Sequence, residues 1–254
     1  MGIHKLVRRE KREWQRIRDV RDLEAVRHGY NELKLTVQTE KPEPYIESIV
    51  DQVLELGVGK SGKVLDAGSG SGVVCRHLRE RGFTNISAFD ISDENVESTR
   101  PWADRVFRST CESIETESDQ FPMVICNGVI EHCMDVRQSL RELFRVTSPG
   151  GYLYIMTDNA WWQTLVTIKN HFVPPDRRYI RFSQPLDGDF DVSEMEQLLR
   201  DCGFSIAAFS GYGGLPVGDG LVSRLFGRPT AQLPGFKRLT SRMIFIAQKP
   251  GPPV

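Results

Sequence analysis

The stretch Val64 to Gly72, which reads VLDAGSGSG, constrains the fold more than any other part of the sequence. A short apolar run ends at an acid, and glycines then occupy every second position before a helical pattern over residues 71–81. Glycine lets the backbone turn sharply and approach a ligand closely. A strand that ends in such a loop and leads into a helix predicts a ligand site at the carboxyl edge of an α/β sheet.

Apolar runs and amphipathic helices alternate on both sides of this loop. A helix follows Pro44, Ser92 caps a short helix, and Ser193 begins a capping box whose helix ends at Gly203. Runs that are apolar throughout, separated by helices, are typical of parallel strands with both faces buried. The pattern predicts an α/β fold with a doubly wound, mostly parallel seven-stranded sheet, whose strands lie near residues 63–67, 86–90, 105–107, 123–126, 152–156, 204–209 and 243–247.

The chain divides into an arm, one large domain and a tail. The sequence of residues 1–41 predicts a basic helical arm, because the segment from Lys5 to Arg18 contains seven basic residues and only two acidic ones. Residues 42–248 form the predicted domain, and residues 249–254 a flexible tail. The rhythm of strands and helices breaks at residues 158–190 and 211–240, which we interpret as insertions that form a lid over a substrate.

Composition narrows the class of protein. A net charge of −1, with 39% hydrophobic and 26% charged residues, is typical of a globular domain with no overall attraction to nucleic acid. No segment approaches the roughly 20 apolar residues of a membrane span. Five scattered cysteines indicate reduced thiols and a cytoplasmic protein, and their spacing predicts no metal site.

Two phosphate-binding motifs fail on register. The P-loop pattern needs a glycine five residues before Gly59-Lys60-Ser61, where this chain has Leu54, and the GKS precedes the strand. The dinucleotide pattern counted from Gly68 needs its last glycine at Val73, whereas the third glycine is Gly72. A nucleotide with a phosphate is therefore disfavoured as the ligand, although a dinucleotide is not excluded.

The stretch VLDAGSGSG resembles the first motif of the class I S-adenosylmethionine-dependent methyltransferases. Further segments match this family in order and spacing, namely Phe89-Asp90-Ile91, Cys111-Glu112-Ser113-Ile114, the run VICNGVIEH that ends at His132, and the turn SPGGYL that begins at Ser148. The resemblance covers residues 45–157 well and residues 193–248 by pattern. The EH and PGG elements resemble the small-molecule branch, which includes quinone-biosynthesis O-methyltransferases.

The resemblance implies a Rossmann-like methyltransferase fold and S-adenosyl-L-methionine as cofactor, with S-adenosyl-L-homocysteine as product. Asp90 would accept the hydroxyl protons of the ribose, or alternatively cap the next helix. Asp66 suits the positively charged ammonium end of the ligand, and the Cys111 segment lies where the family contacts adenine. The implied cofactor-binding residues are Asp66, Gly68, Ser69, Gly70, Gly72, Asp90, Ile91, Cys111, Glu112, Asn127 and Gly128.

Methyl transfer to a hydroxyl group is helped by a general base, and His132 past the fourth strand is the expected one. Glu131 would orient it, although a histidine hydrogen-bonded within the turn is an alternative. The first insertion contains aromatic and cationic side chains that we expect to contact the acceptor or, alternatively, to anchor the insertion to the core. They are Trp161, Trp162, Arg178 and Tyr179.

We therefore expect a methyltransferase that acts on a small-molecule acceptor, with O-methylation favoured. Two alternatives stay open. One is a non-catalytic S-adenosylmethionine-binding partner subunit, and the other is a nucleotide-dependent oxidoreductase on a similar sheet. Nucleic acid is a disfavoured substrate because the fourth strand ends Cys-Asn-Gly-Val rather than in the motif of amino-methylating enzymes. The basic arm is a candidate contact for a polyanion or a partner protein.

Overall fold

The computed structural model describes residues 26–27, 44–172, 188–213 and 237–252. Its strands are β1 (Val64–Ala67), β2 (Ile86–Asp90), β3 (Arg105–Arg108), β4 (Phe121–Asn127), β5 (Thr147–Asp158), β6 (Ser205–Tyr212) and β7 (Arg242–Gln248). Its α-helices are α1 (Pro44–Glu55), α2 (Val73–Glu80), α3 (Asp93–Thr99), α4 (Val136–Val146), α5 (Ala160–Phe172) and α6 (Val192–Asp201). Short 3-10 helices cover Ile130–His132 and Lys237–Leu239.

The seven strands form one sheet in the order β3-β2-β1-β4-β5-β7-β6. The pairs from β3 to β5 are parallel, and β7 runs antiparallel to both β5 and β6. The predicted seven-stranded, mostly parallel sheet is confirmed. The order reverses at β1, so that β1 and β4 are neighbours and their carboxyl ends open a crevice where ligands bind in sheets of this kind.

Both faces of the central strands are buried, as the apolar runs predicted. In β5, Leu153 and Ile155 contribute to one core cluster and Tyr154 and Met156 to the other. Helices α4 and α6 cover the first cluster, and helices α1 and α2 cover the second. The sheet therefore holds the strand ends rigidly between two helical layers.

Two local predictions differ from the structure. Helix α6 is capped by Asp191, whose side chain accepts a hydrogen bond from the Glu194 backbone N–H, so the capping box predicted at Ser193 is wrong. The segment 191–194 offers two capping side chains two residues apart, and the earlier start places Val192 in the core. Strand β5 begins at Thr147 rather than at Tyr152, because the SPGG segment joins the sheet through a register shift.

Part of the predicted organisation lies outside the described residues. This applies to nearly all of the arm, including Lys5–Arg18, to residues 173–187 and to residues 214–236. The arm's contact with a polyanion or partner therefore stays a prediction. Residues 160–172 of the first predicted insertion form α5, which the sequence pattern had not indicated. Within the described ranges, no helix has the length and apolar character needed to cross a membrane.

Candidate functional site

The glycine loop follows β1 and turns against the end of β2. The backbone N–H groups of Gly68 and Ser69 both donate to the Phe89 carbonyl oxygen at 2.9 Å. Gly68, Gly70 and Gly72 have φ angles of 77°, 52° and 79°, in the left-handed region that favours glycine. The sequence thus uses glycine here because the backbone conformation requires it.

The three glycines have different surroundings. A Cβ on Gly68 would lie 2.6 Å from a methyl carbon of Val129, and a Cβ on Gly72 would lie 3.0 Å from Thr99. A Cβ on Gly70 would meet no atom within 4 Å. Gly68 and Gly72 are therefore required by close packing, whereas Gly70 faces open space where a ligand can reach the backbone.

Thr99, at the end of α3, fixes the loop from the side. Its hydroxyl lies 3.1 Å from the Ser69 hydroxyl and donates to the Gly70 carbonyl oxygen at 3.3 Å. Thr99 is fully buried, so these bonds are shielded from water. Thr99 thus restrains the conformation of the loop between Ser69 and Gly70.

Asp90, the last residue of β2, binds the loop with one carboxylate oxygen and α3 with the other. Oδ2 accepts the Gly70 N–H at 2.8 Å, and Oδ1 accepts the Ser92 N–H at 2.9 Å and the Asn95 side-chain amide at 3.1 Å. Burial raises the pKa of Asp90, and these hydrogen bonds oppose the rise. The carboxylate lies at the strand end beside the open backbone of Gly70, where it can also accept a hydrogen bond from a ligand hydroxyl. Ile91 follows, half-buried.

Asp66 lies in β1 behind the loop and is buried. The Cys75 thiol of α2 donates a hydrogen bond to its Oδ2 at 3.2 Å. Burial, the largest cause, and the charge of Asp90 raise the pKa of Asp66 to about 7, while the Cys75 hydrogen bond opposes the rise. The loop is thus backed by two carboxylates, and this arrangement favours a ligand that carries positive charge and disfavours a phosphate.

The segment after β3 is tied to the start of α4. Cys111 is buried in the core, and Glu112 Oε1 accepts the Met134 N–H at 2.7 Å and the Asp135 N–H at 3.3 Å. The Glu112 side chain therefore holds the loop after β4 beside the loop after β3. Its role in the structure is to connect the two loops that flank the crevice.

We expect Glu112→Ala to lower the free energy of unfolding by about 2 kcal/mol, because two backbone N–H groups lose a charged acceptor. Urea denaturation followed by circular dichroism measures the change. Glu117→Ala, on the exposed surface of the same loop, is the matched control and should differ from wild type by less than about 0.5 kcal/mol. Equal stability of the two variants would show that the Glu112 link contributes nothing.

The turn after β4 forms the other wall of the crevice. Gly128 has a φ of 69° and donates its N–H to the Met156 carbonyl oxygen at 2.9 Å, which holds the turn against β5. Asn127 is half-buried, and its Oδ1 accepts no hydrogen bond from the described residues. An acceptor atom left open at a strand end can receive a hydrogen bond from a bound ligand.

Glu131 and His132 lie in the 3-10 helix of this turn. Glu131 is 5% exposed, and its Oε2 has no hydrogen-bond partner among the described residues. Burial raises its pKa, the charge of His132 opposes the rise, and the charge of Asp158 adds to it. His132 is half-buried and donates its backbone N–H to the Val129 carbonyl oxygen at 2.8 Å.

The first insertion returns to this turn. The Gly188 N–H donates to the Glu131 carbonyl oxygen at 2.6 Å, and Asn159 bridges Phe190 beside the end of β5. Trp161 and Trp162 begin α5, with Trp161 exposed and Trp162 half-buried. Arg178 and Tyr179 lie outside the described residues. The part of the insertion that the structure describes therefore adjoins the crevice wall that carries Glu131.

Four residues at the site were not singled out from the sequence. Cys75, Asn95, Thr99 and Val129 each contact the glycine loop or one of its acids. Helical spacing indicates an inward-facing Cys75, but its partner depends on how α2 crosses β1. Thr99 and Val129 are distant from the loop in sequence, so spacing alone carries no signal for them.

Comparisons with known proteins show the family to which the chain belongs. A family described as "Methyltransferase domain" matches residues 40–209. A malonyl-[acyl-carrier protein] O-methyltransferase of Salmonella typhimurium is 34% identical over 110 residues, which cover 42% of this chain and 43% of that protein. A ubiquinone biosynthesis O-methyltransferase of Rickettsia bellii is 28% identical over 141 residues, covering 53% of this chain and 54% of that protein. The chain thus spans about half the length of the curated relatives it matches.

Solved structures share the fold. A SAM-dependent methyltransferase of Methanosarcina mazei superposes with a TM-score of 0.57 at 19% identity, covering 79% of this chain and 98% of that one. A SAM-dependent methyltransferase of Thermotoga maritima gives a TM-score of 0.57 at 16% identity, covering 88% and 99%. At these identities the likeness concerns the fold alone. Because the family match extends over more than half of its residues, the chain belongs to the methyltransferase-domain family.

Proposed function

We propose that this protein binds S-adenosyl-L-methionine in the crevice between the glycine loop and the turn after β4. The observation that carries the proposal is the pair of buried carboxylates at the glycine loop, Asp66 in the strand before it and Asp90, which accepts the N–H of the open Gly70. A dinucleotide or nucleoside triphosphate would bring phosphate charge toward these acids. A sulfonium nucleoside brings positive charge and a ribose diol, which both suit them.

The residues present fit this cofactor in three places. The remaining acceptor capacity of Asp90 suits a ribose hydroxyl, and the open side of Gly70 admits the amino-acid end. We place the adenine beside the segment of Cys111 and Glu112, with contacts from backbone atoms because the Glu112 carboxylate is already engaged by the Met134 N–H. Ser69 and Gly72 also contact Thr99, which holds the loop beside the open backbone at Gly70.

We propose that the reaction is transfer of a methyl group to a small-molecule acceptor, with an oxygen atom favoured as the nucleophile. Both relatives described above are O-methyltransferases by name. The cofactor supplies an activated methyl group, so the protein's task is to orient the acceptor and exclude water. His132 removes the proton of an acceptor hydroxyl, and the buried Glu131 holds the turn that carries it. We place the activity in the cytoplasm, because the five cysteines are free thiols.

Changing His132 to asparagine tests its role as the base. We expect His132→Asn to lower kcat by about a hundredfold or more while the dissociation constant of S-adenosylmethionine stays unchanged. Single-turnover assays at saturating cofactor measure the chemical step. His77→Asn, in α2 and paired with Glu80, is the control and should retain wild-type kcat. A kcat for His132→Asn within about threefold of wild type would assign the histidine to the turn instead.

The function as a whole is tested by following the methyl group. Purified protein is incubated with methyl-deuterated S-adenosylmethionine and a metabolite extract, and mass spectrometry detects small molecules that gain the labelled methyl group. We expect labelled product with wild-type protein and none with Asp90→Ala. Labelled protein or nucleic acid, with no labelled metabolite, would overturn the small-molecule assignment.

A further inference from the structure

A buried thiol lies against the acid of the glycine motif. Cys75 is fully buried in the first turn of α2, and its Sγ is 3.2 Å from Asp66 Oδ2. Asp66 is 1% exposed. Within the described part of the chain, Cys75 is the one hydrogen-bond donor to this carboxylate. A single donor therefore determines both the orientation and the hydrogen bonding of a carboxylate that water scarcely reaches.

The other groups around Asp66 do little to stabilise its negative charge. Its neighbours in the sheet are Ala88 on β2 and Ile125 on β4, which are both apolar. Asp90 at the end of β2 adds a like charge that raises the pKa of Asp66, and the charge of Arg79 on α2 acts on the Cys75 thiol. Because burial brings the pKa of Asp66 to about 7, its charge changes within the neutral pH range.

We propose that Cys75 is a positioning residue that holds Asp66 in its ionised form behind the glycine loop, and that affinity for the cationic methyl donor consequently depends on pH through this one carboxylate. The proposal rests on the proposed function, since it concerns the same cofactor site. The thiol itself does not touch the cofactor. It acts through the acid, and burial raises its own pKa well above the usual value, so it stays protonated as a donor.

The direction of the effect follows from linkage. A positively charged ligand binds the ionised form of Asp66 more tightly, so binding at neutral pH releases protons and affinity rises as the pH increases through about 7. Removal of the thiol removes the hydrogen bond that lowers the pKa of Asp66. The rise in affinity then moves to higher pH. Asp90 also faces the loop, but its three hydrogen bonds are independent of Cys75 and stay the same in the variants.

Isothermal titration calorimetry of the full chain between about pH 5.5 and 8.5 tests the proposal. We expect the midpoint of the affinity profile for S-adenosylmethionine to move upward by about half a pH unit or more in Cys75→Ala, and to return in Cys75→Ser, whose hydroxyl restores a donor. Cys202→Ala, at the end of α6, is the matched control and should follow the wild-type profile. Titration in buffers of different ionisation enthalpy should detect the released protons at pH 7.

Two further measurements separate the explanations. In Asp66→Asn the rise in affinity between about pH 5.5 and 7.5, below the titration of the ligand's own α-amino group at about pH 8, should disappear. The ligand 5′-methylthioadenosine, which has no charged end, should bind wild type with an affinity that does not vary with pH. A Cys75→Ala profile that coincides with wild type would overturn the role of the thiol while leaving the proposed function intact. Absence of S-adenosylmethionine binding to wild type at every pH would overturn the proposed function itself.

Discussion

Asp90→Ala is expected to abolish measurable binding of S-adenosylmethionine. The substitution removes the acceptor for the ribose hydroxyls and also the anchor of the Gly70 N–H. The lost hydrogen bond to a ribose hydroxyl contributes about 1.5–3 kcal/mol, which is roughly tenfold to 150-fold in affinity, and release of the Gly70 loop lowers the affinity further. Isothermal titration calorimetry measures the loss directly.

The matched control for this variant is Asp93→Ala. Asp93 lies three residues further along and is exposed, with its carboxylate 3.3 Å from Arg108. The affinity of Asp93→Ala for S-adenosylmethionine should stay within about twofold of the wild-type value. Because Asp90 also holds the loop to α3, Asp90→Asn serves as a variant of nearly unchanged shape, and circular dichroism verifies its fold. Wild-type affinity in both Asp90 variants would contradict the assignment of the ribose site.

The second large effect concerns stability. Gly68→Ala is expected to lower the free energy of unfolding by about 4 kcal/mol, because it combines a left-handed backbone with a Cβ at 2.6 Å from Val129. Gly150→Ala is the matched control, since Gly150 has nearly the same φ of 78° but no atom within 4 Å of its Cβ position. The free energy of unfolding of Gly150→Ala should be lower than that of wild type by only about 1 kcal/mol.

A double variant isolates the steric part of this loss. Val129→Ala removes the two methyl carbons nearest the new Cβ. The double variant should therefore lose less free energy of unfolding than the sum of the losses in Gly68→Ala and Val129→Ala. The coupling energy should be about 1–3 kcal/mol in urea denaturation. Strict additivity would mean that the turn after β4 does not press against the glycine loop.

The parts of the fold that the sequence predicted share a local cause. The apolar runs of β1, β2, β4 and β5 are buried on both faces, so each run indicates a central strand without knowledge of its neighbours. The position of α4 agrees with the sequence pattern because an apolar face and a capping Asp135 coincide there. Asp191 and Ser193, at the start of α6, are both of a type that caps helices. The sequence pattern does not show which of them is the cap, because burial of a neighbouring residue determines where the helix begins.

The site was predictable to the extent that it is built from short segments. The glycine loop and Asp90 could be recognised because each lies at the carboxyl end of a strand. Contacts between distant segments could not be recognised from the sequence. Thr99, for example, lies 29 residues from Gly70 and contacts it only because α3 packs beside the loop. The Cys75 to Asp66 hydrogen bond likewise depends on the crossing of a helix over a strand. A half-buried His132 shows where a base could stand but does not identify the acceptor.

The most direct test of the central claim is calorimetric titration of the purified full-length chain with S-adenosylmethionine and with S-adenosylhomocysteine. We expect saturable binding of both at one site per chain, with dissociation constants in the range of about 1 μM to 1 mM that is typical of enzyme substrates. NAD(H) should not compete, because the glycine loop lacks the spacing of the dinucleotide-binding motif. Binding of NAD(H) in place of S-adenosylmethionine, or no binding of S-adenosylmethionine by folded protein, would contradict the account.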